Sequence, residues 1–324
     1  MCTCFTYPKR DFLFGRNMDI ECNLGQKVVI SPRHFRWKWR KEKSNLRNYA
    51  IIGMASIVDD FPLYADAVNE HGLCMAGLNF PKNAHYNEYI EGKINITPFE
   101  IIPYILSKYK TVEEAMLNIE DLNLYNENFS ENLPLTPLHY MLADKDNCII
   151  IEPEEDGIHI YNSDVGVMTN NPQYPFHRVN LENYMHLRAD NFNESFIDLI
   201  SPDSYGRGMG SFGLPGDSSP MSRFVRTVFN KYVSNALDES IDPVVEVFRI
   251  LDMSSMIRVG VQVGENMYEK TAYSCCINAS MGIYYFRTYE NMQVYSIDMN
   301  REQLNTNILL EFTLPLGNGV LNMN

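Results

Sequence analysis

Strand-like segments crowd both ends of this 324-residue chain, and helical periodicity is confined to its middle. That order argues for sheets assembled from both ends of the chain with helices packed on them, an α+β layered fold, rather than for alternating βαβ units. Thr3–Tyr7, Phe12–Asp19, Lys27–Ser31, Tyr49–Val58 and Leu73–Leu78 read as strands. The last two are apolar and flanked by Gly and Asp or Asn, as buried strands are. The period then changes. Pro98–Tyr109 has apolar residues at helical spacing, and Thr111 with Glu114 forms a capping box opening a second helix. Strands return at Leu138–Ala143, Cys148–Glu152, Ile158–Tyr161 and Gly166–Met168, followed by a helix over Val179–Leu187. Ser219 and Pro220 make an N-cap and N1 pair for a helix running to Tyr232, and Pro243–Leu251 reads as another. Tyr273–Ile277, Ile283–Arg287 and Gln293–Ile297 are β again. Asp190 to Pro220 is rich in Gly, Pro, Ser and Asp and reads as a long loop, a length that usually serves function or a partner contact. No repeat or linker interrupts the chain, so one domain over 1–324 is expected.

A formal net charge of −14 argues against nucleic acid as the main partner, because a phosphate backbone needs a basic surface. An anionic substrate would approach against that field and would need local arginines. No apolar run reaches the roughly 18–20 residues of a membrane span, and Lys9, Arg10 and Asp11 interrupt the N-terminus before any secretory apolar region. The expected location is the cytoplasm. The seven cysteines contain no CxxC pair, so a disulfide framework is not expected there, and Cys4, Cys22, Cys74, Cys148, Cys275 and Cys276 read as small buried hydrophobes. Asn95, Asn128, Asn193 and Asn278 begin glycosylation-type triplets that read as chance matches without secretion.

The chain opens Met1-Cys2-Thr3-Cys4. Removal of Met1 would give Cys2 a free α-amine, placing a nucleophile and a base on one α-carbon, which is how an N-terminal Thr or Cys is activated without histidine. Other chemistries fit less well. Gly208-Met209-Gly210-Ser211-Phe212-Gly213 matches a dinucleotide fingerprint, but Leu214-Pro215-Gly216 cannot begin the helix that motif requires. There is no H-E-x-x-H and no G-x-S-x-G. Cys2 and Cys4 share a strand face and offer a soft-metal or thiol pair, the reading that would make this a non-catalytic protein. Arg16 and Asp19 interrupt an apolar strand, Asn79 and Asn170 close two others, and Arg223 lies in the first turns of the helix after Pro220. Charged residues are rarely buried unless paired or used.

Together these segments resemble the choloylglycine hydrolase family of N-terminal-nucleophile hydrolases, which includes bile salt hydrolases and penicillin V acylases. The resemblance rests on Met1-Cys2-Thr3, Phe14-Gly15-Arg16-Asn17-Met18-Asp19, Asn69-Glu70-His71-Gly72-Leu73 and Ala76-Gly77-Leu78-Asn79-Phe80-Pro81. It continues through Thr169-Asn170-Asn171-Pro172, Gly213-Leu214-Pro215-Gly216-Asp217, Ser222-Arg223-Phe224 and Thr288-Tyr289-Glu290-Asn291. It implies a four-layer αββα sandwich, a homotetramer, and amide hydrolysis without metal or organic cofactor. Cys2 would be the nucleophile and its α-amine the general base. Asp19 would orient that amine, Arg16 would sit near the sulfur, Asn79 and Asn170 would donate to the oxyanion, and Arg223 would complete the polar network.

The resemblance leaves the substrate open between conjugated bile salts, penicillin V, and N-acyl homoserine lactones or other N-acyl amides. Asn79 favours bile salts, because the acylase branch often carries Tyr there. Met18 and Ala65 fall where the family lines its apolar pocket, with Phe61 and Tyr64 as nearby candidates. Arg16, Arg223 or the loop residue Arg207 is expected to offset the negative field for an anionic conjugate. Tyr205-Gly206-Arg207-Gly208 has an intermediate form and sets no preference between glycine and taurine.

Overall fold

The computed structural model describes every residue except 192–198, 200–204, 235–239, 318–319 and 321. Two antiparallel sheets form its centre. The first runs, edge to edge, Val167–Met168, Cys2–Pro8, Phe12–Ile20, Met267–Asn278, Ile283–Thr288 and Tyr295–Asp298, with Val261–Gly264 paired onto Met267–Asn278. The second runs Gly157–Asn162, Cys148–Glu154, Leu138–Ala143, Cys74–Asn79, Phe61–Asn69, Ile51–Val58, Lys27–Ser31 and Leu310–Phe312. Helices Pro220–Val233 and Pro243–Asp252 cover the outer face of the first sheet, and Ile101–Lys108 packs on the second. This is the expected αββα sandwich.

Strands from both chain ends do meet in one sheet: Phe12–Ile20 pairs with Cys2–Pro8 on one side and Met267–Asn278 on the other. Strand Phe61–Asn69, however, has no counterpart in the sequence reading, and two features hide it. Pro62 interrupts the run, and Ala65 is a β-bulge, since Asp66 pairs with Met54 and Tyr64 with Ala55. A bulge inserts one residue and breaks the period-2 pattern. Met267–Asn278 carries a second bulge at Ala272, with Thr271 opposite Asp19 and Tyr273 opposite Met18. Thr271 and Tyr273, which a regular strand would put on one face, therefore point to opposite faces.

The helix expected over Val179–Leu187 instead spans Tyr174–Asn180 and continues as a 3-10 turn over Leu181–Tyr184. Pro175 in its first turn marks the earlier start. The long loop expected from Asp190 to Pro220 lies partly outside the described residues, as does the Asn193 triplet. Its described part holds a 3-10 turn at Met209–Ser211 with no strand leading into it, unlike a dinucleotide motif. Cys22 is exposed and Cys148 half-buried, so two of the six cysteines read as core are not in it.

Ser219 caps helix Pro220–Val233 as expected, its side chain accepting the Ser222 N–H. Ser219→Ala should lower the unfolding free energy by about 1 kcal/mol, read as a lower urea midpoint at unchanged slope.

Candidate active site

Cys2 is the first residue of its strand and pairs with Met18, which puts Cys2, Cys4, Arg16 and Met18 on the face between the sheets. The Cys2 sulfur lies 3.7 Å from Arg16 Nη2 and 3.7 Å from Met18 Sδ. Arg16 is held from the opposite sheet. Its Nη1 donates to Asp66 Oδ2 at 2.9 Å and to the carbonyl of the bulged Ala65, and its Nη2 donates to the Gly77 carbonyl at 2.7 Å. Asp66 also accepts from the hydroxyls of Tyr273 at 2.5 Å and Tyr284 at 2.6 Å. Burial opposes the Arg16 charge, but Tyr273, Cys2 and Asp66 outweigh it and hold its pKa above the ordinary value.

The backbone of Cys2 is fixed from the helix side. Its N–H donates to Asn170 Oδ1 at 2.8 Å, an oxygen that also accepts from Arg223 Nη2 at 2.8 Å. Arg223 Nη1 donates to Thr3 Oγ1 at 2.7 Å and to the Cys2 carbonyl. Asp19 Oδ1 accepts from the Thr271 hydroxyl at 2.6 Å, and its Oδ2 is buried without a partner among the described residues. Burial pushes the Asp19 carboxyl above its usual range, against the pull of Arg223 and Thr271. The Met1 ammonium donates to the Asp19 carbonyl at 3.0 Å and pairs with Glu269 Oε1 at 2.5 Å.

A largely apolar cavity of about 480 Å³ opens over Cys2. Met18, Tyr64, Ala65, Arg16, Asp19 and Asn79 reach its wall. Asn170 and Arg223 do not, and stand behind Cys2. Phe61 does not reach it either. It is buried among Trp37, Trp39, Phe99 and Phe129, and backs the wall that the last two line. Asn170 donates from Nδ2 to the Asn79 carbonyl at 2.7 Å, so one of its two amide hydrogens is already committed. The Asn79 side chain bonds no described residue and is the freer donor. The arginines expected to meet an anionic substrate are otherwise engaged: Arg16 and Arg223 are buried in the bonds above, and Arg207 is exposed away from the cavity wall. Cys4 is no second thiol of the same kind, being fully buried against Met141, with burial pushing its pKa well up.

The sequence reading missed Asp66, Glu269 and the Phe99–Phe129 wall. Asp66 carried the same signal as Arg16, an ionisable residue in an apolar run, but its strand went unrecognised. Chemically, the arrangement offers a thiol beside a fixed guanidinium, an uncommitted amide donor in the same cavity, and a buried carboxylate near the chain's N-terminal amine.

Residues 2–312 match the linear amide C–N hydrolases of the choloylglycine hydrolase family. The chain belongs to that family. It is 45% identical over 314 residues to a bile salt hydrolase/transferase of Lactiplantibacillus plantarum, covering 97% of each chain. It is 38% identical over 312 residues to one from Clostridium perfringens, covering 95% of each. A crystal structure of a mutant conjugated bile acid hydrolase from Clostridium perfringens superposes with a TM-score of 0.92 at 36% identity, covering both chains fully. A penicillin V acylase from Agrobacterium tumefaciens shares the fold, with a TM-score of 0.76 at 20% identity over 98% of this chain and 93% of that one. The chain is thus an enzyme of linear amides with an N-terminal-nucleophile hydrolase fold.

Two predictions follow from the packing of the site. Asp66→Ala strips a buried guanidinium and two hydroxyls of their acceptor and should cost about 3–5 kcal/mol in urea unfolding. His177 donates from Nε2 to the Asn170 carbonyl at 2.8 Å, and burial pushes its pKa down to about 4. In the unfolded chain it takes up its proton near pH 6.5. Between those values the unfolded state holds more protons, so stability present above pH 6.5 is lost as the pH falls, by about 3 kcal/mol at pH 4. Unfolding curves of wild type and His177→Gln across that window should converge as the pH drops.

Proposed function

We propose that the enzyme hydrolyses glycine- or taurine-conjugated bile salts through a Cys2 acyl-enzyme formed after Met1 is removed. The observation that carries the reading is the setting of Cys2. Its sulfur faces an apolar cavity large enough for part of a steroid acyl group, while its nitrogen is fixed by Asn170 with the open Asp19 carboxylate oxygen in electrostatic reach of the N-terminus. The names of the full-length relatives support the same substrate class.

In this mechanism the α-amine of Cys2 takes the thiol proton, directly or through one water, and the sulfur attacks the amide carbon. Asn79 donates to the oxyanion that forms. Asn170 and Arg223 act chiefly by holding the Cys2 backbone, and Asp19 orients the amine. The protonated amine gives its proton to the leaving nitrogen, which departs as glycine or taurine. Water, deprotonated by the same amine, then releases the bile acid and frees the thiol. The family likeness also supports one catalytic domain over residues 1–324 and a homotetramer in the cytoplasm. No helix among the described residues is long and apolar enough to cross a membrane.

Protein shown by intact mass to lack Met1 should release glycine from glycocholate and taurine from taurocholate, and Cys2→Ala should release neither. Asn79→Ala should lower kcat by about 10²–10³. Release by Cys2→Ala, or none by the Met1-free wild type, would sink the proposal.

A further inference from the structure

We infer that His139 and His177 are positioning residues for the hydrolysis: they grip the two peptide carbonyls that flank the Asn170 α-carbon and so aim its side-chain oxygen at the Cys2 amine. This rests on the Cys2 reading above. Asn170 Oδ1 accepts from the Cys2 nitrogen at 2.8 Å, the atom that becomes the base once Met1 is gone. What holds Asn170 therefore holds the base. His139 Nε2 lies 2.9 Å from the Thr169 carbonyl oxygen, and His177 Nε2 lies 2.8 Å from that of Asn170. A carbonyl can only accept, so each ring carries a proton on Nε2 and donates it.

Strand Val167–Met168 stops pairing with Cys2–Pro8 at Met168, so the next two carbonyls have no ladder partner among the described residues. Buried carbonyls need a donor, and here both donors are side chains. The two rings are also tied to each other. His139 Nδ1 is 3.0 Å from Glu152 Oε1, and the Glu152 oxygens accept the Tyr174 N–H at 3.1 and 3.2 Å, where the helix carrying His177 begins. His139 comes from the second sheet and His177 from that helix, so Asn170 is set against both. Each ring stacks beside a further residue of the site. His139 lies on Phe80 with centroids 4.2 Å apart, next to Asn79, and His177 lies on Phe224 at 5.1 Å, next to Arg223. Asn79 and Arg223 are the other two residues that the Asn170 amide bonds. Both histidines are buried, and neither they nor Asn170 line the cavity. Their influence runs through Asn170 to the amine rather than to the substrate.

The test replaces each histidine by glutamine and by asparagine in Met1-free protein and measures glycine release from glycocholate at equal amounts of folded enzyme. A glutamine amide nitrogen falls where Nε2 stood and can still donate to the carbonyl. An asparagine amide falls at the Nδ1 position and cannot reach it. His139→Asn and His177→Asn should each lower kcat by about 10–100-fold and leave KM within about threefold of wild type. His139→Gln and His177→Gln should keep kcat within about threefold of wild type, although His139→Gln takes the side-chain partner from buried Glu152 and should unfold at lower urea. A purely structural role predicts instead that activity follows stability in all four variants. The His177 pair involves no carboxylate and decides the matter if the His139 variants do not fold. Equal losses in glutamine and asparagine, or a loss carried by KM alone, overturns the inference. If the wild type cleaves glycocholate in a Cys2-dependent way and the asparagine variants keep its rate, the hydrolase reading stands and only this inference fails. If the wild type releases no glycine, both fail.

Discussion

The Arg16–Asp66 ion pair joins the two sheets at the point where the thiol sits, and the rest of the site is arranged around it. Two charges in a dry interface gain little unless every remaining hydrogen-bonding group is met. Here most are: two backbone carbonyls accept from the guanidinium, and two tyrosine hydroxyls donate to the carboxylate. The pair therefore fixes the spacing of the sheets as well as the direction in which the guanidinium faces Cys2. A core made only of aliphatic contacts would allow sliding. This one is pinned by directional bonds, at the ion pair and again where Asn170 donates to the Asn79 carbonyl.

Much of the architecture was legible in the sequence because the strands at the two chain ends are short extended runs bounded by turn residues and buried on both faces, and because Ser219-Pro220 and Thr111 carry helix-start chemistry that tertiary packing did not override. What was lost has identifiable causes. Strand Phe61–Asn69 is phase-broken by its bulge and carries a buried acid, so periodicity could not find it. Phe61 was assigned to the pocket by proximity in sequence, yet aromatic packing draws it one layer back. In the site, Arg16, Asp19 and Arg223 stood out as charges among apolar residues. What each one binds depends on contacts across sheets, which no local pattern encodes. Asn170 shows the same limit. Its residue type suited an oxyanion donor, but the structure commits its oxygen to two donors and one of its hydrogens to the Asn79 carbonyl.

The charge of the site also differs from simple expectation. Arginine content suggested local compensation for an anionic substrate, whereas the arginines near Cys2 are structural, spent on carbonyls, an amide and a carboxylate. They tie down the Cys2 carbonyl, Asn170, Asp66 and the Ala65 and Gly77 carbonyls. Among the side chains that line the cavity, the Asn79 amide and the Asp19 and Glu269 carboxylates keep hydrogen-bonding capacity to spare.

The two bulges have a further consequence. Each shifts its strand by one step, so that neighbours of like parity serve opposite faces of a sheet: Asp66 turns to the interface while Tyr64 turns outward, and Tyr273 meets Asp66 while Thr271 meets Asp19. The bulge at Ala272 thereby lets one strand bond Asp66 between the sheets through Tyr273 and Asp19 beside the N-terminus through Thr271. Such an arrangement tolerates side-chain drift but not a change of phase. Losing Ala65 would take away a carbonyl that holds Arg16 and change the phase of its strand, and losing Ala272 would change the phase of the other. In this fold, chain length between fixed points is as much a part of the chemistry as the residues that perform it.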